Sequence, residues 1–283
     1  MKHSIRLVDQ RMKDPCHLWS SQALSGCPTK GGGDWIGDLG MGALQAAPFD
    51  TAAEGGGAPT ELAALTKHAK LVTVSAAKGG ATKTATVRNI AVIAAHAGLR
   101  VAVIDLDLQR TLTKWHQRRP KAAPTIECRP IPLKGGAKAI RAVVQSGQFD
   151  LVVVDTPPGL EDHAADIRAL AKFSDLVLVP SQPQTADIES NVEWARVLRR
   201  DGVHYAFLLA RTFRNRTAFA SSKQTLLQAG PLCPVDVREA ASVDRSHQQG
   251  LGNFEIRGDV VGQDFLGVWS YAARELALVG EED

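Results

Sequence analysis

The residues with the clearest chemical potential lie in one run, Ala76-Ala77-Lys78-Gly79-Gly80-Ala81-Thr82-Lys83-Thr84. An apolar stretch leads into it and a helical pattern, opening with Ala85, leads out. That order gathers backbone N–H groups around one concavity at a helix N-terminus, where the helix dipole favours anions. Such a loop cradles phosphates. Lys83 would reach the β- and γ-phosphates, and the Thr84 hydroxyl would take a magnesium position. The strict pattern G-x-x-x-x-G-K-[ST] fails twice, because Ala77 and Thr82 occupy its glycine positions. A helix-capping loop is the competing explanation.

Two apolar runs that end in carboxylates add weight to the phosphate reading. They are Val101-Ala-Val-Ile-Asp105-Leu-Asp107-Leu-Gln109 and Leu151-Val-Val-Val-Asp155-Thr-Pro-Pro-Gly159. Open α/β sheets bind ligands beyond the carboxyl ends of their strands, where these acids and the glycine-containing loop would converge. Asp155 could hold magnesium through water, and Asp107 could orient or activate a nucleophilic water. A lone Asp at a strand end is ordinarily a turn or cap residue. Three such endings in order favour the nucleotide.

The elements that must position these groups follow from the hydrophobic pattern. Runs at 71–75, 101–105, 151–155, 176–179 and 203–210 read as strands, several of them continuously apolar, as expected when helices cover both sheet faces. Helical stretches are expected near 83–97, 111–119, 136–146, 162–172, 186–200, 217–229, 238–249 and 262–279. The fold class is therefore α/β, with a mainly parallel, twisted sheet flanked by helices on both faces in three layers. Residues 1–69 differ in character: they hold Gly31-Gly32-Gly33, Gly55-Gly56-Gly57 and all three methionines, without a sustained apolar period. They read as a flexible or disordered leader or as sequence ahead of the true translation start, a partner-binding arm being the alternative. The functional domain is expected over 70–283. No apolar run reaches the roughly 18 to 20 residues of a membrane span. The four cysteines, Cys16, Cys27, Cys128 and Cys233, lack the spacing of a disulfide framework or zinc site, which fits a reducing cytoplasm.

The residues Lys78-Gly-Gly-Ala-Thr-Lys83-Thr84, Asp105-Leu-Asp107-Leu-Gln109, Asp155-Thr-Pro-Pro-Gly159 and Val179-Pro-Ser-Gln-Pro183 resemble the successive motifs of the ParA/MinD family of deviant-Walker P-loop ATPases. Trp115, following Gln109, makes the chain most similar to small ParA partition proteins without an N-terminal helix-turn-helix. The resemblance implies ATP and Mg2+ as cofactors. It implies that Lys78 reaches across a nucleotide-sandwich homodimer to phosphates held by the other subunit, and that Lys83 binds phosphate within its own. Thr84 and Asp155 would serve the metal, Asp107 the attacking water, and Asp105 the metal side. Gly79, Gly80, Ala81, Thr82, Ala85 and Pro183 would complete the nucleotide contacts. The family usually carries Gly at the Thr82 position and Pro at the Leu108 position. A β-branched residue at positive φ costs roughly 1 kcal/mol or more, so Thr82 implies weaker nucleotide binding or slower turnover. Leu108 implies a looser water-positioning loop.

The net charge of +3 conceals a separation. Between Arg110 and Arg141 nine basic residues face one acid, Glu127, and between Arg196 and Lys223 seven face Asp201. Basic clusters of this kind bind DNA phosphates without reading sequence, although each single arginine is equally a solvated face residue. By the resemblance, Arg211, Arg214, Arg216, Arg238 and Arg245 are the DNA-binding candidates, and Arg238 and Arg245 would share a face of a helix over 238–249. The expected function is DNA partition: an ATP-bound dimer holds nucleoid double-stranded DNA, and a ParB-like centromere-binding protein stimulates hydrolysis. Three alternatives compete. A hydrolysis-impaired regulator or DNA-transfer accessory protein keeps the fold. A MinD-type membrane-associated ATPase would need a basic amphipathic C-terminal helix, whereas this chain ends in Glu281-Glu282-Asp283. An iron–sulfur relative would need cysteines placed otherwise than Cys128 and Cys233.

Overall fold

The computed structural model describes residues 68–78, 80, 82–159, 163–213 and 217–278. The expected leader up to residue 67, together with Gly79, Ala81, Arg214 and Arg216, lies outside the described residues.

Strands and helices alternate along the chain: β1 (Lys70–Val74), α1 (Lys83–His96), β2 (Val101–Asp105), α2 (Thr111–Gln117), β3 (Ile126–Pro130), α3 (Gly136–Gln145), β4 (Leu151–Asp155) and α4 (Ala164–Ala171). They continue as β5 (Leu176–Ser181), α5 (Thr185–Arg200), β6 (Tyr205–Thr212), α6 (Thr217–Ala229), β7 (Val237–Arg238), α7 (Ser242–Gln248), a 3-10 turn (Asn253–Glu255) and α8 (Val260–Glu275). The strands form one parallel sheet in the order β3-β2-β4-β1-β5-β6-β7. Every residue of β2 and β4 is buried, which is why both read as unbroken apolar runs. Val72, Val74, Val103 and Val153 pack on one face with Ile90 and Ile93 of α1, Leu112 and Trp115 of α2, and Phe265 and Trp269 of α8. On the other face Ile104, Val152 and Val154 meet Ile140 of α3 and Leu170 of α4. There too, Val177, Val179 and Phe207 meet Ile188, Trp194 and Leu198 of α5. The architecture is a three-layer α/β/α sandwich.

Two edge strands depart from the sequence expectation. β3 alternates only loosely and is half exposed, so its five residues lack the apolar signature of the central strands. β7 occupies the start of the segment expected as helix 238–249: Val237 pairs with Ala210 and Arg238 with Thr212, and the helix begins at Ser242. Arg238 therefore does not share a helical face with Arg245. Its backbone N–H and guanidinium both bond to Asp264 of α8, which holds it in the strand.

Helix α1 is buried almost all round, and its buried polar side chains, Arg88 and Asn89 among them, must find partners. Arg88 donates to the carbonyls of Val243 and Leu251. Asn89 and Asn253 are reciprocally bonded, Asn89 Nδ2 to Asn253 Oδ1 at 3.1 Å and Asn253 N to Asn89 Oδ1 at 2.6 Å. The same 250–255 segment is fastened to α2. Trp115 Nε1 donates to Leu251 O at 3.0 Å, and Arg119 makes a bidentate pair with Glu255, which also accepts from His96 and Gly252 N. Burial alone would raise the Glu255 carboxyl, but these hydrogen bonds and the Arg119 charge overcome it and hold the pKa at about 2.

Because that folded pKa lies below the ordinary value of 4.5, the stabilisation from Glu255 is present above pH 4.5 and is lost as pH falls toward 2. Glu255→Gln is expected to cost about 3 kcal/mol at pH 7, the usual range for breaking a buried pair. Urea unfolding at pH 7 and pH 3 should show the gap between the variant and the wild type narrowing at the lower pH.

Candidate nucleotide site

Strand register brings the site together. Val74, the last residue of β1, pairs with Asp155, and Asp155 pairs on its other side with Asp105. The loop after β1, the two acids and the N-terminus of α1 consequently meet at one carboxyl edge of the sheet. Thr84, in the first turn of α1, donates its hydroxyl to Asp155 Oδ2 at 2.6 Å. Asp155 Oδ1 is buried and has no hydrogen-bond partner among the described residues. Burial raises this carboxyl to about 7, against the lowering effects of the Thr84 hydrogen bond and the Lys83 charge. A buried carboxylate oxygen with an open valence beside a hydroxyl fits a hard cation such as Mg2+. Among the described residues no cluster of three or more His, Cys, Asp or Glu side chains could hold a metal unaided. Magnesium characteristically takes one or two carboxylates and completes its shell with water and substrate phosphates.

Lys83 is 7% exposed, and its ammonium donates to Lys78 O at 3.2 Å, curling over the loop. Burial lowers its pKa, and Asp155, Asp107 and Asp187 act against that lowering. Thr82 precedes it at φ 58°, ψ 20°, in the left-handed region. This position does require positive φ, and a threonine stands in it. Its carbonyl accepts from Thr86 N and Oγ1, so the strained residue also begins the helix. Gly80 lies at φ 79°, with its carbonyl accepting from Gln182 Nε2 at 2.9 Å.

Helix α5 anchors the loop from the other side. Asn191 Oδ1 accepts from Ala77 N at 2.8 Å, while its amide donates to Pro180 O, Ser181 Oγ and Asp187 Oδ2. Asp187 in turn accepts from Gln182 N at 2.6 Å. Sequence reasoning passed over Asp187 and Asn191, yet they lie four apart on a helix face otherwise carrying Ile188, Trp194 and Leu198. Two polar residues on an apolar stripe were the available signal. Lys78 donates to Ala186 O at 3.0 Å, at the start of this helix, and is exposed.

The loop after β2 uses its acids internally. Asp105 is fully buried; Oδ1 accepts from Asp107 N, and Oδ2 accepts from both Thr113 N and Thr113 Oγ1. It is thereby a scaffold for the loop and for α2. Asp107 is half-buried, with Oδ1 accepting from Gln109 N at 2.9 Å. Leu108 between them is 83% exposed.

Behind the loop a cleft of about 460 Å³ runs from Gly80, Thr82, Thr84 and Ala85 to Val237, Ala240, Val243, His247 and Phe265. Arg88 also lines it, a third residue that the sequence pattern does not single out. Pro183 lines a separate cavity of about 170 Å³ with Gln182, Phe213, Phe219 and Glu239. Of the arginines proposed for DNA, Arg211 is paired with Glu239 through two hydrogen bonds and Arg238 with Asp264. Arg245 is exposed and has no acidic partner among the described residues.

Comparison with known proteins bears on the whole assembly. Residues 72–252 match the family described as the CobQ/CobB/MinD/ParA nucleotide binding domain. The chain is 27% identical over 194 residues to the maintenance of carboxysome distribution protein A of Gloeobacter kilaueensis, covering 68% of this chain and 87% of that protein. It is 26% identical over 184 residues to the chromosome-partitioning ATPase Soj of Thermus thermophilus, covering 54% and 73%. In fold it is similar to the septum site-determining protein MinD of Pyrococcus horikoshii complexed with Mg-ADP, with a TM-score of 0.61 at 15% identity over 76% of this chain and all of that one. The loop, the acids and the parallel sheet thus have their counterpart in a matched sequence family that spans them all, and the chain belongs to the ParA/MinD family of nucleotide-binding domains.

Proposed function

We propose that this chain is an ATP-dependent partition or positioning ATPase that converts ATP and water to ADP and phosphate. The observation that carries the reading is the buried, unpartnered Asp155 Oδ1 beside the Thr84 hydroxyl and the Lys83 ammonium. Mg2+ bound there would neutralise charge on the β- and γ-phosphates. The N–H groups of the loop and the first turn of α1 bind the phosphates, and Lys83 leaves the Lys78 carbonyl to do the same. Asp107 holds the attacking water, and Asp105 keeps that loop in place. Phosphoryl transfer needs little more than this positioning and charge neutralisation.

Lys78, on the surface at Ala186, is free to exchange that carbonyl for phosphates bound by a second copy, making the homodimer depend on ATP. The dimer holds nucleoid DNA in the cytoplasm without reading sequence. A ParB-like centromere-binding partner stimulates hydrolysis and release. The names of the carboxysome-distribution and chromosome-partitioning relatives support this reading over a metabolic one.

Thr82 favours a second reading, in which the chain binds nucleotide but turns it over poorly, as a regulator or DNA-transfer accessory protein. A β-branched residue in the left-handed region stores strain of about 1–2 kcal/mol in the phosphate loop. Turnover measured with and without duplex DNA separates the two, because the partition reading requires DNA-stimulated hydrolysis in the unaltered chain.

Lys83→Ala should weaken ATP binding at least tenfold, about the effect of losing one charge-assisted hydrogen bond, as measured with a fluorescent ATP analogue. Asp155→Asn should leave binding of the analogue the same with or without Mg2+, whereas the unaltered chain binds it more tightly with the metal. Thr82→Gly should stabilise the protein toward urea by up to about 1 kcal/mol, since the relief of strain exceeds the entropy that glycine loses on folding.

A further inference from the structure

The basic residues differ in whether a carboxylate of this chain already holds them. Arg211, Arg238, Arg119, Arg100 and Arg168 each bond to a carboxylate of this chain. Lys114, Arg118, Lys121 and Arg245 are exposed and have no acidic partner among the described residues. Lys114 lies on α2, Arg118 caps its C-terminus, Lys121 stands in the turn that follows, and Arg245 lies on α7; the two short helices touch. Arg118, at the end of α2, approaches His247 of α7 at 3.5 Å, and Arg119 Nη1 donates to Gly250 O. A Cβ on Gly250 would come within 2.4 Å of the Arg118 backbone, so the turn after α7 lies directly on the end of α2. Lys114 stands one helical turn before Arg118, on the side away from the buried Leu112 and Trp115, and Lys121 lies past the helix end in the turn closed by Ala123 N to Pro120 O. On α7, Ser246 faces inward and Arg245 outward. Asp244, the one acid on this helix, is bonded to Gln248.

We propose that α2, the turn that follows it and α7 together form a binding strip for the phosphates of duplex DNA, carried by Lys114, Arg118, Lys121 and Arg245. Basic groups that outnumber the acids beside them repel one another in the free protein, and an approaching polyanion relieves that repulsion. At His247, burial first and then Arg88 and Arg118 lower the pKa, against the raising effect of Asp244. Neither helix exposes a large apolar side chain for insertion into lipid, which favours nucleic acid over a membrane surface. The strip is also joined to the nucleotide site at both ends. Thr113 of α2 is bonded to Asp105 at the root of the Asp107 loop, while Val243, Asp244 and His247 of α7 line the cleft. A nucleotide that shifts either wall shifts the spacing of the charges.

This inference rests on the DNA-binding reading above and relocates its main contacts from Arg211 and Arg238 to α2. The test measures affinity of the full chain, in ATP and Mg2+, for a labelled random-sequence duplex across a salt series. The triple variant Lys114→Ala, Arg118→Ala, Lys121→Ala should bind at least tenfold more weakly at about 100 mM salt, with a log–log salt slope shallower by about 3. Arg211→Ala should stay within about twofold of the unaltered chain, as expected for an arginine already paired. Equal duplex affinity and slope in the triple variant would overturn the strip while leaving the DNA reading intact. Absence of duplex binding by the unaltered chain would overturn both. Binding to vesicles of phosphatidylserine in place of duplex, lost in the triple variant, would overturn the assignment to DNA. Should the triple variant fail to fold, Lys121→Gln alone, in an exposed turn, should reduce the slope by about 1, and an unchanged slope there overturns the strip equally.

Discussion

In-register parallel pairing sets Val74, Asp155 and Asp105 side by side at one edge of the sheet, and the rest of the site follows from that alignment. Two buried carboxylates one strand apart repel each other and lose their hydration, so each must be compensated locally. Asp105 is compensated by Thr113 and the backbone of its own loop. Asp155 is compensated only in part, by Thr84 and the nearby Lys83 charge, and keeps one oxygen open. The difference assigns the two acids different work: Asp105 spends its oxygens on folding the loop, and Asp155 retains capacity for a ligand. A sheet edge that was satisfied at both positions would be more stable and would bind nothing there.

The same division between structural and available polar groups runs through α1. Its buried Arg88 and Asn89 are committed to Val243, Leu251 and Asn253, which fixes the far wall of the cleft relative to the phosphate loop at the helix's N-terminus. On α5, Asn191 and Asp187 perform the corresponding service for the loop's first half. The phosphate loop is therefore held from two helices on opposite faces of the sheet. That leaves its strained residue, Thr82, little freedom to relax.

Much of this was legible in the sequence where burial was complete. The central strands and α1 declare themselves because two covered sheet faces demand continuous apolar runs, and Lys83, Thr84, Asp105 and Asp155 stand at their ends. β3 and β7 were not legible, because an edge strand buries only part of its surface and Ile126–Pro130 carries no alternation strong enough to mark it. Arg238 was misplaced on a helix for a related reason: its strand conformation depends on Asp264, 26 residues away, which no local pattern reports. The charge clusters were visible as composition, but which cations remain unpaired is a property of tertiary contacts. Thr82 was legible as a departure from a glycine position, and the left-handed backbone gives that departure its physical meaning.

Gly250 has a consequence for how the molecule can vary. At φ 70°, and with the Arg118 and Arg119 backbone inside the space any side chain would need, it fixes the separation of two helices whose outward cations Lys114 and Arg245 have no acidic partner among the described residues. Substitution is therefore closed at the seam and open on the surface. Charges can be added, removed or exchanged along α2 and α7 over evolutionary time without disturbing the frame that spaces them. A single backbone geometry can in this way be adapted to different polyanionic partners while its nucleotide machinery is inherited unchanged.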